Sequence, residues 1–327
     1  MSVDDKDPFI YRSQGGRIEV GSEEGDNMSA FVKVDDQLLC ITRKNTRTVL
    51  MADHVDPDRT NPDIQHNVQH VLPYGSDSKF VGKTLQQANI LFEEHSLPKT
   101  IDHNKGMRIA FSFLKEVTAL EKTKIEYVNE ETEINSNLAK SSHVPSLPNL
   151  EQKIKNFISN ADHACGLMME TAHLFYPNVK GKGWELKLVE ELKSPEQDDF
   201  IDFVKGFQGF TLGIRRMRNK IEHPYGDFKN DDFLIQNYKL TPKNVVVLPS
   251  ICYKSIDFNY PETHVSVFMN STVHNSLTIF ELLMAYLCNL HAEPFAGDKR
   301  VVVSVPEDKR EESAKHVGFE YQILWRK

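Results

Sequence analysis

Residues 194–223 read SPEQDDFIDFVKGFQGFTLGIRRMRNKIEH, and this stretch decides the fold class of the second half of the chain. Ser194-Pro195-Glu196 opens a helix: Ser is suited to the N-cap, Pro to the first turn, and acids to the positive end of the helix dipole. Phe203, Phe207, Phe210, Ile214, Met217 and Ile221 then recur at steps of three and four, which draws one continuous apolar stripe down a helix reaching to about His223. Such a stripe must be covered, so further helices are expected around it.

The flanks supply them. Leu150 to Tyr176 carries Ile154, Phe157, Ile158, Ala161, Leu167, Met168 and Phe175 at helical spacing, with a bend allowed at Gly166 and a stop at Pro177. Trp184 to Leu192 is a shorter helix, and Asn275 to Leu290 a strongly apolar one. Between the motif helix and that last helix, Val245–Leu248, Ile251–Tyr253 and Val265–Met269 have the composition of strands. The expectation is a helical bundle with a β-hairpin insertion before its last helix. Val301–Val305 and Phe319–Trp325 suggest a final pair of strands.

Upstream the signals change. Residues 1–27 are rich in Asp, Glu, Gly and Ser and suit a poorly ordered lead-in with a short strand at Arg17–Val20. Ala30–Thr42 and Arg47–Ala52 read as strands about a turn at Asp35-Asp36, and the turn signals of Asp53 to Pro62 read as a loop. Leu85–His95 and Arg108–Leu120 have helical periodicity and are expected to cover the small sheet. From Asn129 to Ser146 the chain turns polar and ends in Ser/Pro-rich sequence, which marks a linker. The expected class is therefore α+β, with a mixed α/β domain over 1–145 and a helical domain with β insertion and C-terminal strands over 146–327.

Composition narrows the function classes. A formal charge of −8 opposes binding of nucleic acid by bulk electrostatics, although a local basic site is compatible with it. Cys40, Cys165, Cys252 and Cys288 are widely spaced without a CxxC pair and read as reduced core thiols. The carboxylates of 53–62 lack the spacing of a calcium loop, and His66 with His70 lacks a third zinc ligand, so no metal is expected. Gly181-Lys182-Gly183 follows no strand, and Gly82-Lys83-Thr84 lacks the upstream Gly of a phosphate loop, where Asp77 stands instead. No transmembrane span or secretory signal is read, and a cytoplasmic location is expected.

Chemistry is concentrated at the end of the opening stretch. Arg215, Arg216, Arg218, Lys220 and His223 are a local positive excess in an acidic chain. Cations in the last turns of a helix oppose its negative end, and Arg216 and Lys220 are accounted for in that way. At about 100° per residue, Asn219 and His223 share a face, and the long Arg218 side chain can reach round from the adjoining one. An imidazole moves a proton near neutral pH, a guanidinium holds a phosphate through paired hydrogen bonds, and an amide orients either. The trio suits phosphodiester cleavage without a metal or other cofactor.

Arg218-Asn219-Lys220-Ile221-Glu222-His223 resembles the signature of the HEPN superfamily, an Arg often followed by Asn and then a His near the end of the third major helix. The resemblance covers roughly residues 150–291. It implies a metal-independent endoribonuclease working as a homodimer, with Arg218, Asn219 and His223 catalytic and Arg215, Glu222 and Lys220 supporting or RNA-binding. His223 of each chain would flank the scissile phosphate, and a 2′-hydroxyl attack would leave a cyclic phosphate. His223-Pro224-Tyr225 further resembles the ending of HEPN toxins paired with nucleotidyltransferase antitoxins, which marks Tyr225 as a candidate modification target and an antitoxin or defence partner as the implied company. The first domain would then sense or recruit. The competing expectation is a non-catalytic HEPN-like dimerisation or ligand- and RNA-binding module.

Overall fold

The computed structural model describes residues 26–64, 67–137, 144–192, 197–225, 228–243, 245–256 and 258–325. The strand expected at Arg17–Val20, the imidazole of His66 and the N-cap expected at Ser194-Pro195-Glu196 lie outside them. The chain is α+β, with helices and small antiparallel sheets segregated along the sequence. The described residues divide into two compact units, one running up to Phe111 and resuming at Cys288, the other Ser112–Leu287. This differs from a linear split at residue 145, because helices run through both points of division.

The first unit begins with an antiparallel meander of β1 (Met28–Val34), β2 (Gln37–Thr42), β3 (Thr46–Leu50) and β4 (Asn67–Leu72). β4 is absent from the sequence reading, and His70 lies on it. The expected loop 53–62 contains one helical turn, α1 (Ala52–Val55). Asp26 falls within the expected lead-in and is held in place. Asp26 is buried and accepts hydrogen bonds from the Lys44 amide at 2.9 Å and Asn45 Nδ2 at 3.2 Å, and its carboxylate stands 3.5 Å from the Arg47 guanidinium. Burial alone would raise its pKa, but hydrogen bonds from Thr42, Lys44 and Asn45 and the Arg47 charge outweigh that and hold it low.

A helical segment follows, α2 (Lys79–Val81), a π-helical turn over Gly82–Gln86 and α3 (Gln87–Leu91). The π turn serves to present Gln86 and Gln87 to the C-terminal segment. Gln87 Oε1 accepts from the amides of Gly318 and Phe319, both at 2.9 Å, and Gln87 Nε2 donates to the Phe319 carbonyl at 2.8 Å. Gln86 Nε2 donates to the Ser313 carbonyl at 3.0 Å. Gly82 is required because a Cβ there would lie 2.3 Å from His316 Cβ.

The second unit holds most of α4 (His103–Asn137), with α5 (Leu150–Phe175), α6 (Trp184–Glu191), α7 (Asp198–Glu222) and most of α8 (Val265–Leu290). Between α7 and α8 lie β5 (Asp232–Gln236), β6 (Lys239–Leu240), β7 (Val246–Val247), β8 (Ser250–Lys254) and β9 (Asn259–His264). The insertion is thus a three-stranded sheet, order β5-β8-β9, with a small β6-β7 pair, and is larger than the single expected hairpin. Aromatic contacts tie the bundle: Phe113 stacks on Phe280 at 3.8 Å, Phe200 on Tyr286 at 4.8 Å, and Trp184 meets Phe207 at 5.8 Å.

Two expectations change here. Residues 129–137, expected in a linker, extend α4, because Tyr127 donates to Glu131, Tyr238 to Asn135 and Lys153 to Glu130. Val265–Met269, expected as a strand, is the first turn and more of α8, since Val265, Phe268, Met269, Thr272 and Val273 are buried at helical spacing. The C-terminal strands β10 (Lys299–Ser304) and β11 (Phe319–Leu324) pair antiparallel and belong to the first unit, not to the helical domain.

Two glycines separate close approach from helix propensity. A Cβ at Gly75 would lie 2.2 Å from the Thr42 carbonyl oxygen, whereas one at Gly209 on α7 meets nothing within 4 Å. Gly75→Ala is expected to destabilise by about 2 kcal/mol, and Gly209→Ala to stabilise by about 0.5–1 kcal/mol, in urea unfolding. For Asp26, whose folded pKa is depressed, the stabilisation is present above its unfolded pKa and lost as pH falls through the folded value. Unfolding of Asp26→Asn beside the parent should therefore show a deficit of about 3 kcal/mol near neutral pH that narrows as the pH drops below about 4.

Candidate functional site

The site is built at the C-terminal end of α7. Phe200, Val204, Phe207, Thr211, Gly213, Ile214 and Met217 are the buried side of that helix, while Phe203, Phe210 and Ile221 from the sequence-read stripe sit at its margins. Trp184 covers Phe207, and Thr211 donates to the buried Glu185 carboxylate at 2.5 Å, so α6 fixes the middle of α7. The helix ends at Glu222, with His223 as its C-cap donating its amide to the Asn219 carbonyl at 2.8 Å. That bond stacks Asn219 and His223 one turn apart.

Arg218 reaches round as its length allows. Its Nη1 donates to Asn219 Oδ1 at 3.4 Å, and its Nη2 lies 2.7 Å from Glu222 Oε2. The same Glu222 oxygen is 3.9 Å from His223 Nε2. Arg218, Asn219, Glu222 and His223 therefore converge on one small surface, with the His223 side chain 64% exposed and open to an incoming group.

A residue that the sequence reading missed completes the set. Asp162 of α5 places Oδ2 3.7 Å from Arg218 Nε and Oδ1 4.0 Å from Arg215 Nε, so one carboxylate bridges two arginines from the neighbouring helix. Its signal was present in sequence: it directly follows Ala161 on the apolar stripe of α5, an acid at the edge of a surface that had to meet another helix. Asp162 and Glu222 balance Arg215 and Arg218, so the positive excess read from the motif helix alone is neutralised locally. With each pair partly solvated, such bridges contribute about 0.5–1 kcal/mol apiece.

Lys220 faces elsewhere. Its Nζ donates to the Phe228 carbonyl at 2.9 Å and the Pro224 carbonyl at 3.5 Å. Arg216 lies 4.0 Å from Asp231, whose carboxylate also accepts from the Tyr253 hydroxyl. Burial first, and then the Asp231 bond, push the Tyr253 hydroxyl pKa up. Tyr225, three residues beyond the helix, is 93% exposed.

The thiols offer no nucleophile here. Cys165 lies in the core of α5, where burial and the nearby Asp162 push its pKa up. Among the described residues, no group of three or more His, Cys, Asp or Glu side chains is arranged to hold a metal ion. Among them also, no helix is long and apolar enough to cross a membrane.

No protein-family model matches the chain, and comparison with the curated proteins and with the solved structures finds no match.

Asp162→Asn removes the shared acceptor and leaves two arginines facing each other without it. The variant is expected to lose about 1 kcal/mol in urea unfolding at low salt, and the loss should shrink as ionic strength rises.

Proposed function

We propose that this chain is a metal-independent endoribonuclease of the HEPN kind, acting as a homodimer in a defence or toxin–antitoxin setting within the cytoplasm. The observation that carries the reading is the convergence of Arg218, Asn219 and His223 on one exposed helix end. His223 of one copy takes the proton from a ribose 2′-hydroxyl as its oxygen attacks phosphorus. His223 of a second copy gives a proton to the departing 5′ oxygen. The products are a 2′,3′-cyclic phosphate and a free 5′-hydroxyl, so atoms and protons balance with no further reactant.

Arg218 carries the charge that develops on the non-bridging oxygens, and Asn219 orients the guanidinium through the contact at 3.4 Å. A single exposed imidazole supplies only one of the two proton transfers, which is why a second copy belongs to the mechanism. Tyr225 is the accessible hydroxyl beside the site and fits the role of a modification target through which an antitoxin would act.

One observation favours a second reading, a dimerising or RNA-binding module without turnover. The Arg218 guanidinium is already matched by Asp162 and Glu222, as a structural arginine would be. Turnover separates the two.

Purified protein incubated with mixed RNA in excess chelator should degrade it and leave cyclic-phosphate ends. His223→Ala and Arg218→Ala should each slow decay by at least about a hundredfold. Decay at one rate in all three proteins, or none by the parent, would remove the nuclease reading. Light scattering should report a dimer.

A further inference from the structure

The two carboxylates that hold Arg218 differ in kind. Asp162 reaches it from another helix, is 20% exposed in its side chain, and is shared with Arg215. It approaches the Nε edge of the guanidinium at 3.7 Å. Glu222 comes from the same helix one turn on, is 38% exposed, and takes the outer Nη2 at 2.7 Å. Its Oε2 also lies 3.9 Å from His223 Nε2. One acidic oxygen thus sits between the guanidinium and the imidazole, on the open side of the site.

A phosphodiester cleaved by Arg218 and His223 must put its own anionic oxygens in that place. Arginine binds phosphate through adjacent N–H groups, and here Nε is taken by Asp162 while Nη1 bonds Asn219 and Nη2 pairs with Glu222. The Asn219 oxygen is neutral and can remain. The Glu222 carboxylate cannot, because two anions on one donor repel each other. Its side chain is long and 38% exposed and contacts only Arg218 and His223 among the site residues, so it can swing out, whereas Asp162 is shared between two arginines of the facing helix.

We propose that the Glu222 carboxylate is an internal stand-in for the substrate phosphate, seated between Arg218 and His223 and displaced when an RNA phosphodiester binds. The inference rests on the proposed function for its substrate but concerns binding alone. Asp162 is a positioning residue on the far edge of the same guanidinium and stays in place. The resting chain therefore carries a self-satisfied site, and Glu222 sets how much RNA is needed to open it.

The test is binding without cleavage, using a fluorescent 2′-O-methyl oligoribonucleotide, which lacks the attacking hydroxyl, and fluorescence anisotropy on the full chain. Glu222→Gln should bind roughly threefold to tenfold more tightly than the parent. In an Arg218→Ala background the same change should give no gain, because the seat is gone. A charge-matched control should also give none: Asp199→Asn removes an acid at the other end of α7, about 35 Å away by helix rise and beyond the screening length. Equal affinity of the parent and Glu222→Gln, including no binding by either, overturns the proposal, as does a gain that survives loss of Arg218 or appears with Asp199→Asn. RNA decay indifferent to His223→Ala, with the Glu222→Gln gain intact, overturns the nuclease reading and leaves the phosphate seat standing.

Discussion

Phe200, Val204, Phe207, Ile214 and Met217 leave water together, and a straight helix can bury them only by turning that side onto its neighbours. Each such side chain is worth about 1.5–3 kcal/mol when fully covered, far more than any contact among the charged residues at the helix end. The rotation of α7 about its axis is therefore set by apolar burial. Arg215 and Arg218 are carried onto the flank where Asp162 of α5 waits, and Asn219 and His223 are carried toward water. The polar arrangement at the end of α7 follows from where its aromatic side chains had to go.

This explains what was legible in the sequence and what was not. The helix, its stripe and the convergence of Arg218 with Asn219 and His223 depend on neighbours within two turns, and periodicity reports those directly. Phe203 and Phe210 belong to the stripe by spacing but lie at its edge, because the core is centred on Phe200, Val204 and Thr211. Asp162 is legible only as an acid at the edge of a buried face, since nothing local says that it will stand opposite Arg218. The charge at the site was misjudged for the same reason: an excess of cations along one helix was neutralised from another.

The elements misread elsewhere share a cause. Val265, Val267 and Phe268 have strand composition in a five-residue window, and only the longer run to Leu290 shows the spacing of a helix. The polar end of α4 has no apolar face to announce it and is held by Tyr127, Glu131, Asn135 and Lys153 through contacts that composition cannot report. The C-terminal strands carried no address in their sequence. The Gln87 side chain supplies it, by bonding backbone groups of Gly318 and Phe319 whose side chains play no part.

That amide clamp also orders the events of synthesis. The unit Ser112–Leu287 is one continuous stretch and can close on itself as soon as it leaves the ribosome. The unit that precedes it cannot, because β10 and β11 follow that whole stretch in sequence, and Gln86 and Gln87 wait for them across the length of the bundle sequence. Pairings so distant in sequence form slowly. The helical unit with its arginine and histidine is thus finished first, and the sheet-bearing unit is completed only after β10 and β11 have followed it out.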